Sequence, residues 1–247
     1  MKSLAIIPAR LGSTRLPRKV LADIHGKPLI WHVWSRAKQA RRFAEVYVAT
    51  DSEEVQAEVE RWGGKALMTS TACRSGTERL AECLDRVDAD LIVNVQGDEP
   101  LIDHEMLDAL VARWELQPSD LITPVFRITS SEDLAAPTIV KVARAQSGEA
   151  LYFSRSTIPF VRDWPQSEWL EKATFWGHIG VYGYRRDVLA AYPGLPVSAL
   201  ETSEQLEQLR FLDAGYRFQT IETTYRSIAV DIPTDLDRVR ELMRPQL

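Results

Sequence analysis

The sequence predicts an α/β fold with a doubly wound, mostly parallel sheet and a smaller, less regular second half. Three observations carry that prediction. Short apolar runs at residues 4–7, 45–50 and 91–95 recur with helical periodicity between them. The β-α-β-α-β order of those segments implies right-handed crossovers and helices on both faces of the sheet. The first run passes straight into a loop that packs Arg10, Arg15, Arg18 and Lys19 around Gly12, Ser13 and Thr14. In open α/β sheets, ligands bind at that carboxyl end of the strands.

The elements follow in order. Leu4 to Ile7 is a buried strand that stops at Pro8. Leu29, Ile30, Val33, Trp34 and Ala37 recur at helical spacing through residues 28–42, with Pro28 suited to a helix start. Residues 45–50 form a strand. Asp51 is then expected to cap a helix, with Glu54 completing a capping box and Gly63-Gly64 ending it. Leu80, Leu84 and Val87 mark another helix, residues 91–95 a central strand, and residues 105–115 a helix. Strand-like pieces follow at 121–127, 139–143, 176–184 and 217–223, and helices at 203–213 and 234–244 finish the chain. The loop 161–175 holds Trp164, Pro165, Trp169 and Phe175, and loops this long are usually functional or covered by a partner. No repeat, low-complexity tract or linker interrupts the chain. A single domain over residues 1–247 is expected, with halves of about 1–117 and 118–247.

Composition narrows the class. A hydrophobic fraction of 45% with 26% charged residues is ordinary globular usage. The net charge of -5 argues against a general nucleic-acid binder, so the cations matter locally, at the loop. No run approaches the ~18 apolar residues of a membrane span, and the N-terminus lacks the pattern of a secretory signal. Cys73 and Cys83 make neither a disulfide framework nor a zinc pattern. A cytoplasmic protein is expected.

Four cations in residues 10–19 repel one another unless they are solvated or meet an anion such as a triphosphate. One glycine fits neither the P-loop nor the dinucleotide fingerprint. At 94–100, Asn-Val-Gln-Gly-Asp-Glu-Pro ends the central strand. Gly97 allows close backbone approach there, and Asp98 projects a hard carboxylate suited to magnesium, which takes one or two carboxylates plus substrate phosphates. A Gly-Asp turn would read the same way locally. Arg74, Ser75 and Gly76 precede a helix start at which Thr77 is a good N-cap. Asp231, taken alone, is a turn residue ahead of an N-cap at Thr234 or Asp235. In the second half, Arg155 offers a planar fork for a carboxylate. His178, Tyr182 and Tyr184 alternate on one strand face around Gly180, and a polar-aromatic face of that kind suits a sugar.

These motifs resemble a known family. Ile7-Pro8-Ala9-Arg10 with Ser13-Thr14-Arg15-Leu16-Pro17 and Lys19 is similar to the signature loop of the sugar nucleotidyltransferases. Within that group the chain resembles the 3-deoxy-manno-octulosonate (Kdo) cytidylyltransferases, through at least six motifs in order from Leu4 to about Val239. The sialic acid cytidylyltransferases begin similarly but differ after the Ser. Cys73 stands where family members commonly carry His, Thr202-Ser203 where a His is frequent, and Ile232 and Thr234 replace two residues around Asp231.

The resemblance implies transfer of CMP from CTP to Kdo, giving CMP-Kdo and pyrophosphate for lipopolysaccharide biosynthesis. It implies Mg2+ on Asp98 and Asp231, with Arg10 and Lys19 completing the catalytic set. Pro8, Ala9, Arg10, Gly12, Ser13, Arg15, Lys19, Arg74, Ser75, Gly76 and Gln96 would bind the nucleotide, in a nucleotide-binding first half. Gln96, Arg155, His178, Tyr182, Tyr184, Glu207 and Gln208 would bind the sugar acid, in a sugar-binding and dimerisation second half. A homodimer is implied. A different sugar acid (8-amino-Kdo or a nonulosonic acid), a uridine nucleotide or a non-catalytic nucleotide-sugar-binding regulator are the alternatives; retention of Lys19, Asp98 and Asp231 argues against the last.

Overall fold

Strand β1 (Ser3–Pro8) sets the frame, because its side chains point alternately into two hydrophobic cores. Ala5 and Ile7 join one core and Leu4 and Ile6 the other, as a strand covered on both faces requires. The computed structural model describes residues 1–13 and 15–244; Thr14 of the signature loop and residues 245–247 lie outside the described residues.

After β1 come a short hairpin, β2 (Asp23–Ile24) and β3 (Lys27–Pro28), then α1 (Leu29–Ala37), β4 (Phe43–Thr50) and α2 (Glu53–Arg61). β5 (Lys65–Met68), α3 (Gly76–Glu82), β6 (Leu91–Asn94) and α4 (His104–Leu116) complete the first half. The second half runs β7 (Leu121–Ile128), α5 (Ser131–Ala135), β8 (Lys141–Arg144), β9 (Glu149–Ser154), α6 (Trp169–Lys172) and β10 (Phe175–His178). It continues with β11 (Tyr182–Arg185), α7 (Arg186–Ala191), α8 (Ala199–Glu204), α9 (Gln208–Asp213), β12 (Phe218–Thr223) and α10 (Pro233–Leu242).

The large sheet has the order β10-β8-β9-β12-β7-β11-β6-β1-β4-β5. β5, β4, β1 and β6 are mutually parallel, which is the predicted wound half. β11 inserts antiparallel between β6 and β7, and β12 runs parallel to β7. Following the pairings outward, only β9, β10 and β11 are reversed among the ten described strands, so the sheet is mostly parallel, as expected. β10 also pairs with β7, which closes β7, β12, β9, β8 and β10 into a ring. Helices α1, α2, α4 and α10 cover one face with Leu29, Val55, Leu107 and Leu236. Helices α3, α7 and α9 cover the other with Leu80, Leu189 and Leu209.

Several local expectations are corrected. Ser52, not Asp51, caps α2, its hydroxyl accepting from Val55 N at 3.4 Å, while Asp51 turns to a distant arginine. Ser75 rather than Thr77 caps α3. The N-cap of α10 is Ile232, with Pro233 at the first helical position and Asp235 accepting from the amides of Asp231 and Ile232 at 2.9 and 3.0 Å. The expected strand 176–184 breaks at Ile179–Val181, where Val181 N donates to Ile179 O at 2.7 Å around Gly180. That kink lets the chain leave β8 and insert between β7 and β6. The expected helix 203–213 is split into α8 and α9 by Gln205 at φ 54°.

Candidate active site

The carboxyl ends of β1 and β6 open into a cleft of about 300 Å³. Gly97 is what lets the two strand ends close on one another: a Cβ there would sit 2.5 Å from the Pro8 carbonyl oxygen, a backbone atom with no room to yield. Pro8, Arg10, Gly12, Ser13 and Arg15 line one wall, and Arg74, Ser75 and Gly76 the other. Gln96, Asp98, Asp231 and Glu207 are also in the lining. Five basic side chains, Arg10, Arg15, Lys19, Arg74 and Arg79, face three carboxylates there, so the cleft is locally cationic in an acidic protein. A polyanion is favoured in such a site.

At its centre the Lys19 ammonium donates to Asp98 Oδ2 at 2.7 Å and to Asp231 Oδ1 at 3.1 Å. Arg15 pairs with the other oxygen of Asp231 at 3.3 Å. The two aspartates stand 133 positions apart in the chain (231 − 98), and one backbone bond joins their segments: Val230 N donates to Asp98 O at 2.9 Å. Asp235 holds the amides of Asp231 and Ile232 from below. The fourth loop cation, Arg18, turns outward to Glu54. Like-charge repulsion in the loop is thus relieved by protein carboxylates.

The donor set fits a magnesium ion. Two hard carboxylates converge on one point that already accommodates a cationic group, the Lys19 ammonium. Among the described residues no cluster of three or more His, Cys, Asp or Glu could hold a metal on protein ligands alone. A cation that brings waters and phosphate oxygens as its remaining ligands suits this pair.

Beneath the cleft, Arg79 is almost sealed and bonds Asp51 Oδ2 at 2.8 Å and the Thr69 hydroxyl, tying the ends of β4 and β5 to α3. The sequence did not single out Arg79 or Val20 as lining residues: Arg79 lay within a stretch read as a capped helix start, and Val20 carries no polar group to mark it, whereas Gly97, expected to let backbone approach a ligand, does line the cleft. Cys73 lines the cleft, its thiol donating to Glu82 at 3.0 Å, and burial pushes it up to about 11, so it is not a thiolate nucleophile at neutral pH. Glu99, next to Asp98, is buried with one oxygen unpartnered among the described residues, and burial pushes its carboxyl up to about 7.

Glu207 links the two halves. Its carboxylate accepts from the Thr77 hydroxyl at 2.8 Å, and burial raises its pKa. Gln96 lines the cleft as well, whereas the other expected sugar residues do not. Tyr184 is core, 2% exposed, with its hydroxyl 3.4 Å from that of Thr77. Gln208 is 4% exposed rather than projecting, and its Nε2 has no partner among the described residues. His178 and Tyr182 stand together, ring centroids 5.2 Å apart. Ala9 is also not a lining residue: its side chain is core and its amide donates to Ala49 O at 2.8 Å. Arg155 departs furthest from expectation. Its Nε, Nη1 and Nη2 donate to the carbonyls of Glu204, Pro137 and Gln205 at 2.8, 3.1 and 3.3 Å. The guanidinium ties loops together here and offers no open fork to a carboxylate.

Comparison with known proteins places this arrangement. A family model described as Cytidylyltransferase matches residues 4–222. The chain belongs to the cytidylyltransferase family. The 3-deoxy-manno-octulosonate cytidylyltransferase of Geobacter metallireducens is 47% identical to it over 249 residues, covering 98% of this chain and 97% of the relative. The enzyme of the same description from Escherichia coli is 44% identical, covering 100% and 98%. Among solved structures, a CMP:2-keto-3-deoxy-manno-octonic acid synthetase complexed with CTP superposes with a TM-score of 0.92 at 44% identity, covering 98% of both chains. A putative glucose-1-phosphate thymidylyltransferase from Bacillus anthracis shares only the fold with this cytidylyltransferase, at a TM-score of 0.68 and 17% identity.

Proposed function

We infer that this cytidylyltransferase transfers CMP from CTP to Kdo, releasing pyrophosphate and making CMP-Kdo for lipopolysaccharide biosynthesis. The observation that carries the reading is one cleft that joins the Arg/Lys loop to the Asp98–Asp231 pair, in a chain alignable end to end with a CTP-bound synthetase.

The chemistry asks for charge cancellation. An anionic sugar acid must bring its anomeric hydroxyl in line with the α-phosphorus of an anionic nucleotide. Arg10 and Arg15, at the mouth of the loop, bind the phosphates; Lys19, held low in the cleft, stabilises charge as it moves to the departing pyrophosphate. Asp98 and Asp231 would hold Mg2+. When bound, that ion supplies Lewis-acid neutralisation of phosphate charge and a lowered pKa for a coordinated hydroxyl. Ser75 and Gly76 on the opposite wall come close to Pro8, where a Cβ on Gly76 would lie 3.3 Å from Pro8 Cγ, and the missing side chain leaves room for the nucleoside. Gln96 can donate and accept between nucleotide and sugar. Gln96 and Glu207, which line the cleft, form its sugar side, and the resemblance adds His178, Tyr182 and Gln208, which stand outside the lining.

Assembly and location belong to the same reading. A homodimer through the second half accounts for the exposure of Leu151, Phe160 and Trp164, and a cytoplasmic site of action suits a CTP-consuming step. No helix among the described residues is long and apolar enough to cross a membrane.

Pyrophosphate release should be measured with each of the four common nucleoside triphosphates, with and without Kdo, in Mg2+ and after chelation. Release only with CTP, Kdo and the metal together is expected. Turnover of another triphosphate at equal efficiency, or release independent of Kdo, overturns the assignment.

A further inference from the structure

Thr123 sits in β7 with no exposure, and its hydroxyl is the hub of an unusual set of contacts. Oγ1 lies 2.7 Å from Val181 O, 3.2 Å from Ile179 O and 2.9 Å from His178 Nε2. Both carbonyls belong to the kink that separates β10 from β11. A hydroxyl has one proton, and carbonyl oxygens can only accept. The Thr123 proton is therefore committed to the kink, best to Val181 O. Its contact with the imidazole must run the other way, with Nε2–H donating to Oγ1. A neutral imidazole carrying its proton on Nε2 has a bare lone pair on Nδ1.

The surroundings leave that lone pair unpartnered and unsealed. Among the described residues Nδ1 makes no hydrogen bond, and it is not among the sealed unpartnered atoms. The ring is wedged between Phe153, edge-on at a centroid distance of 5.1 Å, and Tyr182 at 5.2 Å. Gly180, in the kink beside it, abuts the cleft wall: a Cβ there would lie 3.8 Å from Gln96 Cγ.

We propose that Thr123 is a positioning residue that locks His178 as its Nε2–H tautomer, so that bare Nδ1 accepts a hydrogen bond from a hydroxyl of the sugar acid. The proposal rests on the function inferred above. Burial alone pushes the imidazole down to about 3, so a doubly protonated ring that could donate from both nitrogens is absent at neutral pH. It follows that His178 selects for a donor on the sugar. A carboxylate facing the lone pair would be repelled, so the acid group of the substrate must bind elsewhere.

Two measurements test this on the intact enzyme. The first is 15N NMR of protein labelled in its histidine rings; the chain has four histidines, and loss of one signal set in His178→Gln assigns the resonance. Nε2 protonated and Nδ1 bare is expected, and an Nδ1–H or doubly protonated ring at pH 7 overturns the lock irrespective of what the substrate is. The second is kinetics of Thr123→Val and Thr123→Ser. Val removes the acceptor, so the tautomer shifts and the Kdo KM should rise about tenfold, one net hydrogen bond, with the CTP KM unchanged. Ser restores the hydroxyl, the tautomer and the Kdo KM to within about twofold. Equal rises in both KM values in Thr123→Val, or a Ser variant no better than Val, overturn the proposal. Should Val not fold, the wild-type spectrum and the Ser variant still decide it. If Kdo is no substrate at all, the kinetic arm fails together with the inferred function while the tautomer result stands alone.

Discussion

Arg79 and Asp51 form the pair whose removal has the most calculable consequence. The Arg79 side chain is 3% exposed and that of Asp51 18%, at 2.8 Å separation. Deleting one member of a buried pair typically costs 3–5 kcal/mol, because the survivor is left charged and poorly solvated. The two survivors differ here. Arg79→Met leaves an aspartate that can turn toward water, which puts the cost near the lower end, about 3 kcal/mol. Asp51→Ala leaves a sealed guanidinium with only the Thr69 hydroxyl beside it, near the upper end, about 5 kcal/mol. In a chain of this size those costs correspond to Tm losses of roughly 6–12 °C and 10–20 °C. Replacing both residues by apolar ones strands no charge, and Arg79→Met/Asp51→Leu should recover most of the loss. Urea unfolding with m unchanged is the assay. The reasoning fails if Asp51→Ala is the milder variant, or if either single change costs less than about 1 kcal/mol, the scale of an exposed ion pair.

Other outcomes are expected at and around the cleft. Asp98→Asn and Asp231→Asn should each keep the fold and lose most turnover at saturating Mg2+; near-normal activity in Asp98→Asn refutes the shared metal site. Lys19→Ala should lower kcat more than it raises the CTP KM, because its charge matters most as pyrophosphate departs, and the opposite split makes Lys19 a ground-state binder. Gly97→Ala should impair turnover through displacement of the neighbouring Asp98, since its Cβ would meet the Pro8 carbonyl at 2.5 Å; wild-type kinetics would show that the strand ends can part freely. His178 gives a pH signature. Its folded pKa is depressed to about 3 by burial, below the ~6.5 of an unfolded histidine, so its contribution is complete above pH 6.5 and declines as pH falls toward 3. Between pH 7 and pH 5 the wild type should lose up to about 2 kcal/mol that His178→Gln does not lose, read as the difference between their urea midpoints. Identical pH slopes would place a protonatable imidazole in the fold.

Much of this molecule was legible in one dimension because its causes are local. The apolar runs at 4–7 and 91–95 and the helical spacing from Leu29 to Ala37 each depend on neighbours within a few residues, and all three elements form there, although the helix expected over 28–42 ends at Ala37. The cationic loop and the Gly97-Asp98 turn were visible for the same reason, and the structure places both in one cleft with Asp231. Tertiary structure decided which competing partner each polar group took. Asp51 reads as a helix cap, yet Ser52 caps as well from the next position and releases Asp51 to Arg79, 28 residues away. Arg155 reads as an open fork, yet carbonyls from two remote loops satisfy it, and nothing in a Ser-Arg-Ser stretch announces them. The aspartate pair itself depends on Val230 reaching Asp98, a contact set by where α10 packs rather than by the residues around either carboxylate. A side chain's propensity is a property of its own segment, but its hydrogen-bond partner is whichever group the packed core leaves within about 3 Å.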